Sequence, residues 1–199
     1  APAPTPAAAP GAMGEPDWDR PQTFVDDLRP HAERAATELG VAPEALLAQA
    51  ALETGWGRHV IRRADGSSSH NLFNIKAHRA WDGERVGVRT LEFRDGIPRQ
   101  EQAAFRAYDS LEQAFDDYVD FIKGHPRYQA ALAAGADAHG YARELQAAGY
   151  ATDPRYAEKI ADILGRGALE ASAPVKTGTG GPMNGQREGG EPPRGLTDA

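Results

Sequence analysis

The chain reads Ala-Ala-Leu-Glu-Thr-Gly-Trp-Gly at residues 50–57, and this stretch places a single acid, Glu53, at the end of an apolar helical run. The run begins upstream at Pro43, a residue favoured at the first position of a helix, and its apolar side chains recur at helical spacing. Gly55 and Gly57 are expected to end it. The sequence therefore predicts a helix whose last turn carries one carboxyl group.

An acid in this position is suited to proton transfer. Burial disfavours the charged form of a carboxyl group and raises its pKa, as a general acid that protonates a glycosidic oxygen requires. Trp56 beside it offers a flat face for a sugar ring. The same residues also fit a structural role, with Glu53 neutralised by Arg58 or solvated and Trp56 in the core.

Two further motifs follow this segment in order along the chain. Residues 71–76 read Asn-Leu-Phe-Asn-Ile-Lys, and residues 148–154 read Ala-Gly-Tyr-Ala-Thr-Asp-Pro. Together with residues 53–57 they resemble the glucosaminidase domain of glycoside hydrolase family 73, in particular the members that form the C-terminal domain of flagellar peptidoglycan hydrolases. The resemblance covers about residues 22–167, and three ordered motifs make it more specific than any one of them.

The resemblance implies both a fold and an activity. The implied fold is lysozyme-like and α+β, mostly helical, with a helical lobe and a small β-hairpin lobe that flank a groove. The implied activity is that of a peptidoglycan hydrolase, an endo-β-N-acetylglucosaminidase that opens the wall for flagellar rod assembly. Muramidases and lytic transglycosylases share the fold and the catalytic glutamate, so the bond that is cut stays open. A non-catalytic glycan-binding scaffold module would use the same groove.

Three residues are implied to be catalytic. Glu53 is the general acid, and Glu92 is the β-lobe carboxylate that faces it across the groove. Tyr150 lies on a connection between two predicted helices and corresponds to a cleft tyrosine that is tied to activity. Two alternatives stay open, because Glu92 could be a solvated strand residue paired with Arg94 or Arg99, and Tyr150 could be a packed residue with a hydrogen-bonded hydroxyl.

Four further residues are predicted to contact substrate, through a ring or an amide: Trp56, Asn71, Phe73 and Tyr156. The sequence also permits a structural role for all four, with Trp56 in the core. Asn71 could cap a turn, Phe73 could fill the core, and Tyr156 could pack inside the next helix. Trp81 is left out of the site because it could equally anchor the hairpin.

Turn signals and periodicity predict one β-hairpin among several helices. Alternation from residue 85 to 93, the turn signal Asp95-Gly96 and a second run over residues 99–108 indicate two antiparallel strands. An isolated hairpin is marginal in water, so this one is expected to pack against the helices. The other expected helices run from a cap at Thr23 to Gly40, from a cap at Ser110, and over about 126–134, 138–148 and 154–165, the last with Asp153 as cap and Pro154 at its first position.

Composition divides the chain and excludes several classes of protein. Residues 1–20 are expected to form a Pro/Ala-rich linker, residues 21–168 the hydrolase domain, and residues 169–199 a disordered tail. A net charge of −7 disfavours nucleic-acid binding, and no apolar run is long enough for membrane insertion. The lack of cysteine excludes disulfides and thiol catalysis.

No metal or other cofactor is predicted, because the six histidines show no ligand spacing and neither a phosphate loop nor a nucleophile elbow occurs. The expected partner is the glycan strand of peptidoglycan. The resemblance places the protein in the periplasm, although no export signal is visible in the chain. The linker at residues 1–20 would suit an upstream domain that binds flagellar rod proteins.

Overall fold

The computed structural model describes residues 18–94 and 97–169, without the side chains of residues 90–101. Within these ranges the helices are α1 (Pro21–Leu39), α2 (Pro43–Thr54), α3 (Leu111–Gly124), α4 (Gln129–Ala133), α5 (Ala138–Ala147) and α6 (Tyr156–Leu164), and the strands are β1 (Arg85–Arg94) and β2 (Ile97–Arg106). A short 3₁₀ turn, Pro126–Tyr128, precedes α4. The predicted α+β architecture, mostly helical with one hairpin, is confirmed. None of the described helices is long and apolar enough to cross a membrane.

Helix α2 is the centre of the helical body. All of its residues from 45 to 51 are buried, and it packs against α1, α5 and α6. A helix that is apolar on every face is stable only when neighbours surround it. Pro43 begins the helix and Gly55, in the left-handed region at φ 57°, ends it, as predicted. Glu53 is therefore presented by the last turn of a rigid, buried element.

Helix α1 begins before its predicted cap. Pro21 lies in its first turn and Arg20 is the N-cap residue, with no side-chain hydrogen bond to the helix. The predicted cap Thr23 lies inside the helix, so that assignment is wrong. Proline already has the backbone φ of a helix and lacks the N–H that would need a partner there, which favours the earlier start.

Helix α6 begins at Tyr156, two residues after the predicted start at Pro154. The carboxylate of Asp153 accepts the backbone N–H of Arg155 at 2.9 Å, and its carbonyl oxygen accepts that of Tyr156 at 3.1 Å. Asp153 thus forms a tight turn ahead of the helix. The predicted cap of α3 is confirmed, because the Ser110 hydroxyl accepts a first-turn N–H at 3.2 Å.

Strands β1 and β2 pair antiparallel, with Arg85 opposite Arg106 and Arg94 opposite Ile97. This confirms the predicted hairpin. The second strand runs over residues 97–106 rather than 99–108, because Ala107 and Tyr108 leave the ladder and turn into the core. The backbone of Arg106 also donates to the carbonyl oxygen of Ile75 at 3.0 Å, so the segment before the hairpin lies alongside β2.

A buried ion pair joins the base of the hairpin to α3. Arg106 Nη1 contacts the two carboxylate oxygens of Asp117 at 2.7 and 2.8 Å, and the Tyr108 hydroxyl donates to Asp117 at 2.6 Å. The side chains of Arg106 and Asp117 are only 13% and 15% exposed. The guanidinium also lies 4.4 Å from the ring centre of Trp81. Trp81 therefore packs at the base of the hairpin.

Two residues at the predicted domain edges pack against the helices. Trp18, assigned to the linker, meets Phe24 edge-on at 5.2 Å, and its indole N–H donates to Asp27 at 2.9 Å. Leu169, assigned to the tail, is 5% exposed. The rest of the predicted linker and tail lies outside the described residues, so the domain boundaries stay a prediction.

We expect Asp117→Asn to lower the free energy of unfolding by about 3 kcal/mol, because the Arg106 guanidinium would stay buried without its carboxylate. Urea unfolding followed by circular dichroism measures the loss. Asp116→Asn is the matched control, since Asp116 is 51% exposed and pairs with Arg34 at the surface. Its effect should stay below about 1 kcal/mol. Equal losses in the two variants would contradict the role assigned to the buried pair.

Candidate active site

The carboxyl group of Glu53 is half-buried and is held by two neutral donors. The Tyr156 hydroxyl donates to Oε1 at 3.1 Å. Asn74 Nδ2 donates to Oε2 at 2.9 Å and to the backbone oxygen of Glu53 at 3.0 Å. Arg58 instead donates to the carbonyl oxygen of Gly55 at 3.1 Å. Among the described residues, no cation forms an ion pair with Glu53, so the acid is fixed without being neutralised.

Burial raises the pKa of the Glu53 carboxyl group, and this effect outweighs the hydrogen bonds from Asn74 and Tyr156, which lower it. The helix adds to the burial effect, since the C-terminal end of a helix dipole disfavours a negative charge. A raised pKa keeps the proton on Glu53 closer to neutral pH. The direction of this shift is the one that a general acid needs.

Tyr150 and Tyr156 lie stacked beside the acid, with ring centres 6.0 Å apart and planes inclined by 29°. Tyr156 is 3% exposed, whereas Tyr150 is half-buried and its hydroxyl donates to the carbonyl oxygen of Phe73 at 2.8 Å. Burial raises the pKa of both phenols well above the ordinary value, so both stay neutral. The Tyr156 hydroxyl donates to Glu53, and the predicted contact of Tyr156 with substrate stays a prediction.

A buried polar network lies inside the helical body near this pair. The Tyr118 hydroxyl donates to Gln49 Oε1 at 2.5 Å and lies 2.7 Å from the Tyr141 hydroxyl. Gln49 precedes Glu53 by one turn of α2 and is fully buried. The network therefore ties α2 to α3 and α5 just below the acid.

Asn71 and Phe73 lie behind the site rather than on its open surface. The Asn71 amide donates to the carbonyl oxygens of Ile75 and Arg106 at 3.0 and 2.9 Å, and its oxygen accepts the Ile75 N–H at 3.0 Å. Phe73 is 1% exposed and stacks on Tyr118 at 3.9 Å. Their positions favour the structural alternative over substrate contact, because their polar and apolar surfaces are already occupied.

Trp56 and Glu92 are the two remaining residues predicted to belong to the site. Trp56 is half-buried directly after α2, in the left-handed region at φ 62°, and its ring meets Phe24 edge-on at 6.0 Å. Glu92 lies in β1 opposite Arg99. Its side chain is outside the described part of the structure, so its role as the second carboxylate stays a prediction.

Asn74 is the site residue that the sequence analysis misses. It belongs to the motif at residues 71–76, in which Asn71 and Phe73 are singled out instead. Its backbone adopts φ 49°, a region that asparagine tolerates better than most residues with a side chain. The only sequence signal is the residue type itself, and that signal does not reveal which group the amide contacts.

Comparison with known proteins identifies relatives of most of the described region. Residues 29–169 match the glucosaminidase family model, described as mannosyl-glycoprotein endo-beta-N-acetylglucosaminidase. The chain is 51% identical over 146 residues to peptidoglycan hydrolase FlgJ of Vibrio parahaemolyticus, which covers 73% of this chain and 47% of that protein. It is 34% identical over 151 residues to exo-glucosaminidase LytG of Bacillus subtilis, covering 73% of this chain and 51% of that protein. The chain thus spans about half the length of these curated relatives.

Solved structures agree with this similarity. The crystal structure of a peptidoglycan hydrolase from Sphingomonas sp. A1 matches with a TM-score of 0.67 and 50% identity, over 74% of this chain and 90% of that one. The truncated glycoside hydrolase domain of Salmonella typhimurium FlgJ matches with a TM-score of 0.65 and 38% identity, over 76% of this chain and all of that one, 100%. The predicted lysozyme-like fold is confirmed.

We expect Glu53→Gln to be more stable than the wild type at neutral pH. The folded state holds the pKa of Glu53 above its ordinary value of 4.5 and therefore binds the proton more tightly than the unfolded chain does. The resulting stabilisation is fully present below that value and is lost as the pH rises through the folded-state pKa. Glutamine carries no charge and avoids this loss, so its advantage should grow as the pH rises.

Differential scanning calorimetry between about pH 4 and pH 8 measures this advantage as a difference in Tm. Glu158→Gln is the matched control, because Arg155 lowers the pKa of that exposed carboxylate. The stability that Glu158 contributes is lost as the pH falls. Glu158→Gln should therefore have a lower Tm than the wild type at neutral pH, and this difference should shrink at acid pH. An advantage of Glu53→Gln that does not change with pH would refute the burial argument.

Proposed function

The chain belongs to the glucosaminidase family, glycoside hydrolase family 73, and from this premise we propose that it hydrolyses the glycan strand of peptidoglycan as an endo-β-N-acetylglucosaminidase. The observation that carries the proposal is the half-buried carboxyl group of Glu53, held by Asn74 and Tyr156 and with a raised pKa. A protonated acid in a fixed position is the group that cleavage of a glycosidic bond needs.

In the proposed reaction, Glu53 gives its proton to the glycosidic oxygen as the bond to the anomeric carbon breaks. Water supplies the hydroxyl group that ends on that carbon, and its other proton restores the acid or passes to a second carboxylate. Loss of the proton leaves Glu53 negatively charged. The donors Asn74 and Tyr156 then stabilise this carboxylate, because hydrogen bonds to the charged form of an acid favour that form.

We expect Glu53→Gln to lower the rate of peptidoglycan hydrolysis by roughly 10²- to 10⁴-fold, as loss of a general acid does. A zymogram and a dye-release assay on purified sacculi measure the loss. Glu44→Gln, at the other end of α2, is the control and should stay active. A fully active Glu53→Gln protein would remove Glu53 from this role.

Mass spectrometry of the released fragments identifies the bond that is cut. Reducing-end N-acetylglucosamine supports the proposed activity, reducing-end N-acetylmuramic acid indicates a muramidase, and anhydro-muramic products indicate a lytic transglycosylase. A sacculus pull-down separates catalysis from binding. Binding without clearing, in the wild type as well as in the Glu53→Gln variant, would favour a scaffold module.

We propose Glu92 as the second carboxylate, acting as a base for water, as a nucleophile, or as a stabiliser while the acetamido group of the substrate attacks. Glu92→Gln should lower hydrolysis by at least about 10²-fold and leave sacculus binding and the circular dichroism spectrum unchanged. Glu38→Gln is the control, because that carboxylate pairs with Arg34 on the exposed surface of α1. Near-normal activity of Glu92→Gln would move the search to the acids Asp82, Glu84, Asp95 and Glu101.

We also propose a biological setting, namely a hydrolase that opens the wall in the periplasm for the flagellar rod. The support is the similarity to peptidoglycan hydrolases named FlgJ, in two of which the matched region makes up 47% and 39% of the length. Rod proteins as partners belong to this proposal. If the gene lies apart from flagellar genes and encodes no rod-associated domain, the proposed flagellar role is rejected and the proposed hydrolase activity stands.

A further inference from the structure

Asn74 contacts Glu53 twice through one nitrogen. The two hydrogens of Nδ2 point to the backbone oxygen of Glu53 at 3.0 Å and to its Oε2 at 2.9 Å. That backbone oxygen is one of the last carbonyls of α2, which have no partner within the helix. The amide therefore closes the end of the helix and holds the side chain of the same residue.

The backbone contact also fixes which way the amide faces. The oxygen and nitrogen of an asparagine amide have nearly the same shape, so hydrogen-bond partners decide their assignment. A backbone carbonyl oxygen only accepts, so the NH₂ group of Asn74 must face Glu53. An N–H is consequently presented to Oε2 whether the acid is protonated or charged.

The two oxygens of Glu53 are thereby made unequal. In a neutral carboxylic acid the carbonyl oxygen is the better acceptor, so the N–H from Asn74 favours Oε2 as carbonyl and Oε1 as the hydroxyl oxygen. Tyr156, next to Oε1, tolerates this arrangement because a phenol both donates and accepts. An amide NH₂ group has no such freedom.

We propose that Asn74 is a positioning residue that fixes the Glu53 carboxyl group and directs its acidic proton to Oε1. The proposal rests on the proposed function, in which that proton is delivered to the glycosidic oxygen. Asn74 acts through Glu53 and needs no contact with substrate. After Glu53 has given up its proton, the Asn74 amide donates to the resulting carboxylate. The same hydrogen bond is therefore present in both protonation states of Glu53.

The backbone of Asn74 makes clean variants available. At φ 49° glycine replaces asparagine without strain, so Asn74→Gly removes the amide and keeps the path of the chain. Asn74→Asp keeps the size and tolerates the same φ, but it turns a second carboxylate toward Oε2. His70→Gly is the matched control, since His70 has φ 53° and its ring contacts the carbonyl oxygen of Tyr108 at 3.0 Å.

The first experiment titrates Glu53 by NMR in protein labelled with ¹³C at the glutamate carboxyl carbon, beside the pH dependence of kcat and kcat/KM. Asn74→Gly loses a donor to the charged form, so the pKa of Glu53 and the alkaline limb of activity should both move to higher pH. The optimal kcat should fall about 10-fold, the size expected for one lost hydrogen bond to a charged group, with KM nearly constant. Asn74→Asp should give a larger shift because two carboxylates then interact.

The second experiment locates the proton by isotope-edited infrared spectroscopy at acid pH. If Oε2 is the carbonyl oxygen, Asn74→Gly frees it from its donor and raises the C=O stretching frequency of Glu53. Tyr156→Phe should leave that frequency nearly unchanged, because it removes a partner of the hydroxyl oxygen. The reverse pattern would place the proton on Oε2 and overturn the assignment.

Each outcome bears on one proposal or the other. His70→Gly should leave the Glu53 titration and the alkaline limb unchanged. The positioning role is rejected if Asn74→Gly folds and its Glu53 titration and pH profile are unchanged, even if its Tm is lower. If Asn74→Gly does not fold, Asn74→Asp gives the same test. The titration and the infrared spectra need no substrate. A wild type that fails to cut peptidoglycan therefore rejects the proposed function by itself, whereas an active wild type beside an unchanged Asn74→Gly rejects only the positioning role.

Discussion

The burial of α2 on every side is the constraint on which the rest of the structure depends. A helix with Leu46, Leu47 and Ala50 all fully buried needs neighbours around its whole circumference, and α1, α5 and α6 supply them. The helix ends at Gly55, so Glu53 leaves the core only at its last turn. Its carboxyl group is thereby partly removed from water, and the groups that contact it come from other parts of the chain.

The contacts of Glu53 are neutral, and this is what its chemistry requires. A guanidinium beside the carboxyl group would lower its pKa and favour loss of the proton that a general acid must donate. The amide of Asn74 and the phenol of Tyr156 orient the carboxyl group and lower its pKa less than a cation would. Arg58 is close in sequence but bonds the carbonyl oxygen of Gly55. A half-buried acid without a cationic partner lowers the stability of the fold at neutral pH. Groups that serve catalysis often reduce stability in this way.

Local signals predicted the elements, and long-range contacts limited what could be predicted of the site. Pro43 and Gly55 mark α2 within the segment itself, and the dipeptide Asp95-Gly96 is the sequence signal that predicts the hairpin. The donors to Glu53 lie 21 and 103 residues away along the chain, at Asn74 and Tyr156, so no local pattern joins them. The sequence also does not show how deeply a given side chain is buried. An amide or a ring in a motif looks the same whether it lines a groove or fills the core behind it.

Arg106 connects the base of the hairpin to the helical body through both its side chain and its backbone. Arg106 ends β2 and meets Asp117 of α3 in a buried pair, while its backbone oxygen accepts the Asn71 amide of the loop that carries Asn74. The same residue thus connects the strands of the hairpin to the loop that contacts Glu53. A buried pair with several additional bonds has one favoured geometry. The contacts of Arg106 therefore hold the base of the hairpin against α3 and against the loop that carries Asn74.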